Sequence, residues 1–172
     1  FGQPCDMDPI VETARRHDLR LIEDSAETMF ARYKGRSVGT FGDIGCFSTY
    51  VAHLLITGVG GFATTDDDDL AVILKSLMNH GRDSIYLNID DRGETSEDRL
   101  KVAEGRFRFV RFGHSFRGTE MESALGLAQL DDMEELIQRR KQNAAFLTDR
   151  LGPMVDALQL PSAPDHLDHV YM

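Results

Sequence analysis

Short apolar runs alternate with segments of helical periodicity along this chain, and that alternation restricts the fold more than any other feature. Met7, Ile10, Val11 and Ala14 recur at helical spacing. Leu19-Arg20-Leu21-Ile22 is a short run that ends at Glu23-Asp24 and reads as a buried strand. Ile44 to Ser48 and Gly61 to Thr64 read as two more strands, and Lys34 to Gly39 as a turn or short hairpin. Strands interleaved with helices predict an α/β fold with a largely parallel sheet.

Helix signals are strongest further along. Asp66 to Asp69 precede Leu70, Ile73, Leu74, Leu77 and Met78. Four carboxylates at a helix start cap free N–H groups and complement the dipole, a better explanation than a cation site. Residues 84–106 are polar and predict a mobile surface loop. Thr119 and Glu122 form a T-x-x-E capping box for one long helix. Its first face is Met121, Ala124, Leu125 and Ala128, continued by Leu130, Met133, Leu136 and Ile137, and Gly152-Pro153 ends it. Val170-Tyr171 reads as a strand of a second domain.

Composition removes several function classes. With 19 Lys+Arg against 29 Asp+Glu the net charge is −10, which disfavours nucleic acid and requires a local nest of donors for any small anion. No apolar run reaches the ~18 residues of a membrane span. Cys5 and Cys46 are the two cysteines and carry no metal or disulfide spacing, which points to the cytoplasm. No Walker A, GxGxxG or GxSxG sequence is present. His166 and His169 have HxxH spacing without a third ligand and read as unpaired surface histidines.

In an α/β sheet, ligands bind beyond the carboxyl ends of the strands. Asp24 and Ser48 stand at two such ends, His53 follows Ser48 by five residues, and the glycines of Thr57-Gly58-Val59-Gly60-Gly61 come next. This set can hold a phosphorylated cofactor. It can equally be a capped turn, a surface serine and a packed histidine.

The ordered motifs decide more. Ile22 to Glu27, Tyr33-Lys34-Gly35 through Val38-Gly39, Gly42 to Ser48, Thr57 to Gly61, Asn79-His80-Gly81-Arg82, Gly113 to Arg117 and Ala124 to Leu130 together resemble the DegT/StrS family of nucleotide-sugar aminotransferases and dehydratases. The resemblance implies part of a fold-type-I pyridoxal-phosphate (PLP) enzyme, truncated at both ends. Residues 1–152 would be the C-terminal part of the cofactor-binding large domain, a mostly parallel sheet flanked by helices, and 153–172 the start of a small C-terminal domain. It also implies a homodimer with shared active sites and, for these 172 residues alone, no activity.

The same resemblance assigns roles. Asp24 matches the carboxylate that keeps the cofactor's pyridine nitrogen protonated, so that the ring acts as an electron sink. Ala26 matches the small residue packed on the ring. Glu27 stands where the family usually has Gln, near the ring hydroxyl, and Ser48 matches the phosphate-binding serine. Ser115 falls where many members have an Asn that reaches the neighbouring subunit's phosphate, and Val59 replaces a common Glu. Arg117 is expected to pair with a helix carboxylate.

His53 occupies the position of the family's catalytic lysine. An imidazole forms no imine, but it moves protons near neutral pH. A His here resembles the 3-dehydratases of nucleotide-linked 4-keto-6-deoxy sugars, which hold pyridoxamine phosphate (PMP) untethered and use the His as base. Gly81-Arg82-Asp83 is followed by Ser84, not by the Cys of the iron–sulfur branch, so the resemblance is to the cluster-free one. The rivals are transamination of the same substrate class, and an inactive member with a binding or regulatory role. A lysine-dependent transaminase would have to draw on Lys34, Lys75, Lys101 or Lys141, and none stands at the expected place.

Overall fold

The computed structural model describes residues 2–83 and 95–172. They divide into two compact units, one of Phe1–Thr64 with Thr119–Met172 and one of Thr65–Gly118.

The first unit opens with helix α1 (Met7–Arg16), where Met7 is the buried member of the expected face. Strand β1 (Ile22–Asp24) pairs in parallel with β4 (Ile44–Ser48), with Asp24 opposite Cys46. Strand β5 (Gly61–Thr64) lies antiparallel on the other edge of β4. The expected parallel pairing is therefore at β1 and β4, while β5 returns the other way.

The first strand falls later than the apolar run suggests, and Leu19 and Ile22 are exposed. The buried residue of β1 is Glu23, whose carboxylate accepts the backbone N–H groups of Gly39 and Gly42, each at 2.7 Å, and of Phe41. Those amides replace the water the carboxylate loses, which is what permits a charge in a sheet interior.

Strands β2 (Arg32–Tyr33) and β3 (Arg36–Ser37) form the expected hairpin. Its two loop residues, Lys34 and Gly35, have φ of 48° and 78°, as a type I′ turn requires. The tail adds strand β6 (Leu167–Asp168) to the free edge of β2. The strand signal at Val170-Tyr171 is thus displaced by three residues. Val170 is fully buried instead, in a core with Met29, Ala31, Val38, Leu54, Leu55, Met133 and Ile137.

The long helix is two helices. Helix α4 (Glu120–Leu130) begins at the Thr119 capping box, where Glu122 accepts the Thr119 N–H at 2.7 Å. The chain turns at Asp131-Asp132, and α5 (Met133–Leu151) buries Met133 and Ile137. Met121 and Leu125 of the expected face are 74% and 57% exposed, and the buried position of α4 is Gly126.

In the second unit, α2 (Asp68–Leu77) is capped as expected, with the Asp67 carboxylate accepting from Asp69 N at 2.9 Å and Leu70 N at 3.1 Å. Part of the expected loop is instead helix α3 (Ser96–Gly105), capped by Thr95, which accepts from Asp98 N at 3.1 Å. The remainder of that loop, 84–94, lies outside the described residues.

Candidate active site

The parallel register sets the site. Asp24 and Ser48 are the last residues of β1 and β4, so both stand at the carboxyl edge of that pair. Asp24 is exposed, and one of its oxygens accepts the Ala26 N–H at 3.2 Å. Ser25 N donates to Cys46 O at 2.8 Å, which ties the segment after β1 to β4. Thr28 N then donates to Ser25 O at 3.1 Å, closing a turn with half-buried Ala26 and Glu27 at its middle. The Asp24 charge faces Cys46, and burial followed by that charge pushes the thiol up from its ordinary pKa.

Ser48 Oγ accepts the Tyr50 N–H at 3.2 Å and keeps its own proton for a further acceptor. Tyr50 O in turn accepts the His53 N–H at 2.9 Å. One residue, Tyr50, thus connects the Ser48 hydroxyl to the His53 backbone, and its ring meets the imidazole edge-on at 6.3 Å between centroids. His53 is half-buried, and its Nδ1 is buried without a hydrogen-bond partner.

The loop that carries His53 is closed at its base. Thr49 N donates to Gly60 O at 3.1 Å, Thr57 N donates to Thr49 O at 2.9 Å, and the two threonine hydroxyls meet at 2.6 Å. Leu54 and Leu55 anchor it in the core. On its outer side, Ile56 N donates to Gln129 Oε1 at 3.0 Å, and Gln129 Nε2 donates to Ile56 O at 2.5 Å. Sequence reasoning missed Gln129. Its signal was an amide within Ala124 to Leu130, a run otherwise of Ala, Leu and Gly.

Ser115 belongs to the second unit. It is exposed and forms an antiparallel bridge with Asn79. The strand-like segment is held by His114 N to Leu77 O at 2.7 Å and Phe116 N to Met78 O at 3.0 Å, and Asn79 Oδ1 is buried without a partner. Arg117 meets His80 Nε2 at 3.3 Å rather than a helix carboxylate. In the first unit, the HxxH pair splits: His166 is exposed, as expected, and His169 is buried. His166 stands edge-on to Tyr33, and buried His169 accepts the Tyr171 N–H through Nδ1 at 2.9 Å. The two histidines flank β6, which pairs with β2, and only His169 is turned into the interior.

The donors and acceptors at this edge fit a phosphorylated pyridine cofactor. Asp24 offers a carboxylate of the kind a protonated ring nitrogen pairs with, Ser48 has a hydroxyl proton to give, and Nδ1 of His53 is without a partner. An α/β chain with polar groups at such strand ends has the architecture of a ligand-binding domain, and the comparisons fix the family. Residues 1–172 match the DegT/DnrJ/EryC1/StrS aminotransferase family, and the chain belongs to it. Members of that family are PLP-dependent aminotransferases or dehydratases.

The chain is 34% identical over 171 residues to a GDP-perosamine synthase of Caulobacter vibrioides, covering 99% of this chain and 41% of that protein. Its fold matches an aminotransferase from Psychrobacter cryohalolentis with a TM-score of 0.81 at 32% identity, over 98% of this chain and 42% of the other. It also matches an E. coli GDP-4-keto-6-deoxy-D-mannose-3-dehydratase with bound hydrated PLP, with a TM-score of 0.79 at 29% identity, over 99% of this chain and 40% of the other. The chain thus spans about two fifths of the length of these relatives. Among the described residues no helix is long and apolar enough to cross a membrane.

Proposed function

We propose that these residues are part of a longer cytoplasmic enzyme of surface-polysaccharide biosynthesis that removes the C3 hydroxyl of a nucleotide-linked 4-keto-6-deoxy sugar. The observation that carries this reading is His53, an imidazole on a tied loop beside Ser48, with a buried Nδ1 free of partners. On this reading residues 1–152 belong to the large domain and 153–172 begin the small one.

When bound, PMP supplies an amine for the sugar ketone and a ring that delocalises negative charge. Asp24 holds the proton on the ring nitrogen, and Ala26 leaves room for the ring face. Glu27 accepts from the ring hydroxyl, and Ser48 donates to the phosphate. His53 takes and returns a proton, as an imidazole does near neutral pH. Two copies of the enzyme share their sites, with Ser115 donating to the partner's phosphate. The uncovered Met121 and Leu125 of α4 are consistent with burial between copies.

Transamination is the second reading, favoured by the likeness to a GDP-perosamine synthase. It requires a lysine amine in reach of the cofactor. Lys34 is paired with Asp8, Lys101 with Glu97 and Lys141 with Asp168, which engages three of the four lysines elsewhere. An inactive, binding-only member is the third reading.

The test uses the full-length gene product, loaded with PLP and treated with borohydride. No cofactor fixed to the chain, together with loss of the C3 hydroxyl from GDP-4-keto-6-deoxymannose in the presence of PMP, supports dehydration. A cofactor fixed to a lysine overturns it in favour of transamination. Retention of PMP with no turnover on a panel of such sugars leaves the binding role.

A further inference from the structure

Loops are placed by what satisfies their backbone, and the loop between β4 and β5 has one unusual supplier. Leu54 and Leu55 are buried at 4% and 8% exposure, so the chain must re-emerge at Ile56, beyond any strand partner. Both backbone groups of Ile56 are met by one side chain. Gln129 Oε1 accepts from Ile56 N at 3.0 Å and Gln129 Nε2 donates to Ile56 O at 2.5 Å, while Nε2 also donates to Leu125 O at 2.7 Å.

A primary amide offers two N–H donors alongside its acceptor oxygen, and all three kinds of contact are made here. Few side chains substitute. Glu supplies the acceptor but no donor when ionised, Asn is one methylene short, and Leu supplies neither. The helix can approach this closely because position 126 is glycine. A Cβ there would meet Thr57 Cγ2 at 3.2 Å, tighter than ordinary contact. Gly126 and Gln129, one helical turn apart, seat α4 against the loop.

We propose that Gln129 is the positioning residue for His53, an assignment that rests on the reading of His53 as the base. A histidine base is usually oriented by a partner on its second nitrogen. No hydrogen bond at Nδ1 holds the His53 ring, so what the fold fixes is the loop backbone that carries it. The Tyr50 carbonyl holds the His53 N–H on one side, and the Gln129 amide holds Ile56 three residues later on the other. Between these two fixed points the core takes Leu54 and Leu55, which holds in place the backbone from which the imidazole projects.

The experiment compares Gln129→Leu and Gln129→Glu with wild type in the full-length protein. It reads amide hydrogen exchange across 50–60 without cofactor, and turnover of GDP-4-keto-6-deoxymannose with PMP. In Gln129→Leu the Ile56 amide is expected to exchange about tenfold or more faster, while β4 and α5 are unchanged. The turnover number is expected to fall about 10- to 100-fold with little change in KM. Gln129→Glu is expected to keep part of the Ile56 N–H protection. Its turnover number is also expected to fall with little change in KM, because a carboxylate has no N–H to give the Ile56 and Leu125 carbonyls.

Unchanged exchange at Ile56 in both variants overturns the proposal. So does faster exchange with undiminished turnover. If Gln129→Leu does not fold, Gln129→Glu still decides by the split between turnover number and KM, and undiminished turnover in it counts against the proposal. His53→Asn with full turnover defeats the base reading itself. In that case the exchange data still decide whether Gln129 holds the loop.

Discussion

The hydroxyls of Thr49 and Thr57 meet at 2.6 Å beneath the loop that carries His53, and both residues are buried. Thr57 Oγ also donates to Val59 O at 3.3 Å, so the shared proton comes from Thr49. The pair locks the two ends of the loop from inside, where water cannot compete.

Replacing these hydroxyls tests that lock. Thr49→Val removes a donor and leaves Thr57 its bond to Val59, and is expected to cost about 1 kcal/mol. Thr57→Val strands both the Thr49 proton and the Val59 carbonyl, and is expected to cost about 2–3 kcal/mol. Denaturant midpoints of the two variants check the order. Equal losses would mean that the two hydroxyls are not arranged in this sequence of donors.

Glu23→Gln addresses the buried carboxylate of β1. One carboxylate oxygen receives Phe41 and Gly42, and the other receives Gly39. An amide keeps one acceptor and turns a donor toward an N–H. A loss of about 2–3 kcal/mol is expected from chemical denaturation, since hydrogen bonds to charged groups are the stronger kind. Stability within about 0.5 kcal/mol of wild type would show that these amides do not hold the charge.

The features legible in the sequence were those made by near neighbours. Asp67 meets Asp69 and Leu70, Thr119 meets Glu122, and Lys34-Gly35 turns upon itself. Thr95 and Asp98 carried the same kind of signal for α3, but the charged surroundings hid it. What escaped were pairings of distant residues. Arg32 with Asp168, Ile56 with Gln129 and Glu23 with Gly39 depend on the assembled fold, and no local pattern encodes them. The break at Asp131-Asp132 was masked because apolar spacing continues through it. At the candidate site, the strand ends that place Asp24 and Ser48, and the motif order that singles out His53, are legible in the sequence. The unpartnered Nδ1 and the amide on the loop's outer side are visible only in the folded chain.

Cys46 reports on Asp24. Burial first, and the Asp24 charge second, hold the thiol above its usual pKa. Asp24→Asn removes the charge and leaves burial in place. The thiol is then expected to titrate at lower pH and to react faster with iodoacetamide at about pH 8, where thiolate limits the rate. Cys46→Ser identifies the signal, because Cys5 is exposed and reacts independently. An unchanged rate profile in Asp24→Asn would place the carboxylate elsewhere.

His169 makes folding stability depend on pH near neutrality. Burial lowers its pKa below the ordinary histidine value, with the Asp168 charge opposing, and Nδ1 accepts the Tyr171 N–H at 2.9 Å. The folded chain therefore keeps a neutral ring with its proton on Nε2. Above about pH 6.5 the ring is neutral in both folded and unfolded chains and adds no slope. As pH falls below that value, the unfolded chain gains a proton that the folded chain refuses, and stability declines until the lowered folded pKa has been passed. His169→Gln does not titrate. The wild-type denaturation midpoint is expected to fall more steeply than that of the variant between about pH 7 and about pH 5. Parallel slopes in the two proteins would show that the ring is protonated as readily folded as unfolded, and that the contact with Tyr171 does not hold it neutral.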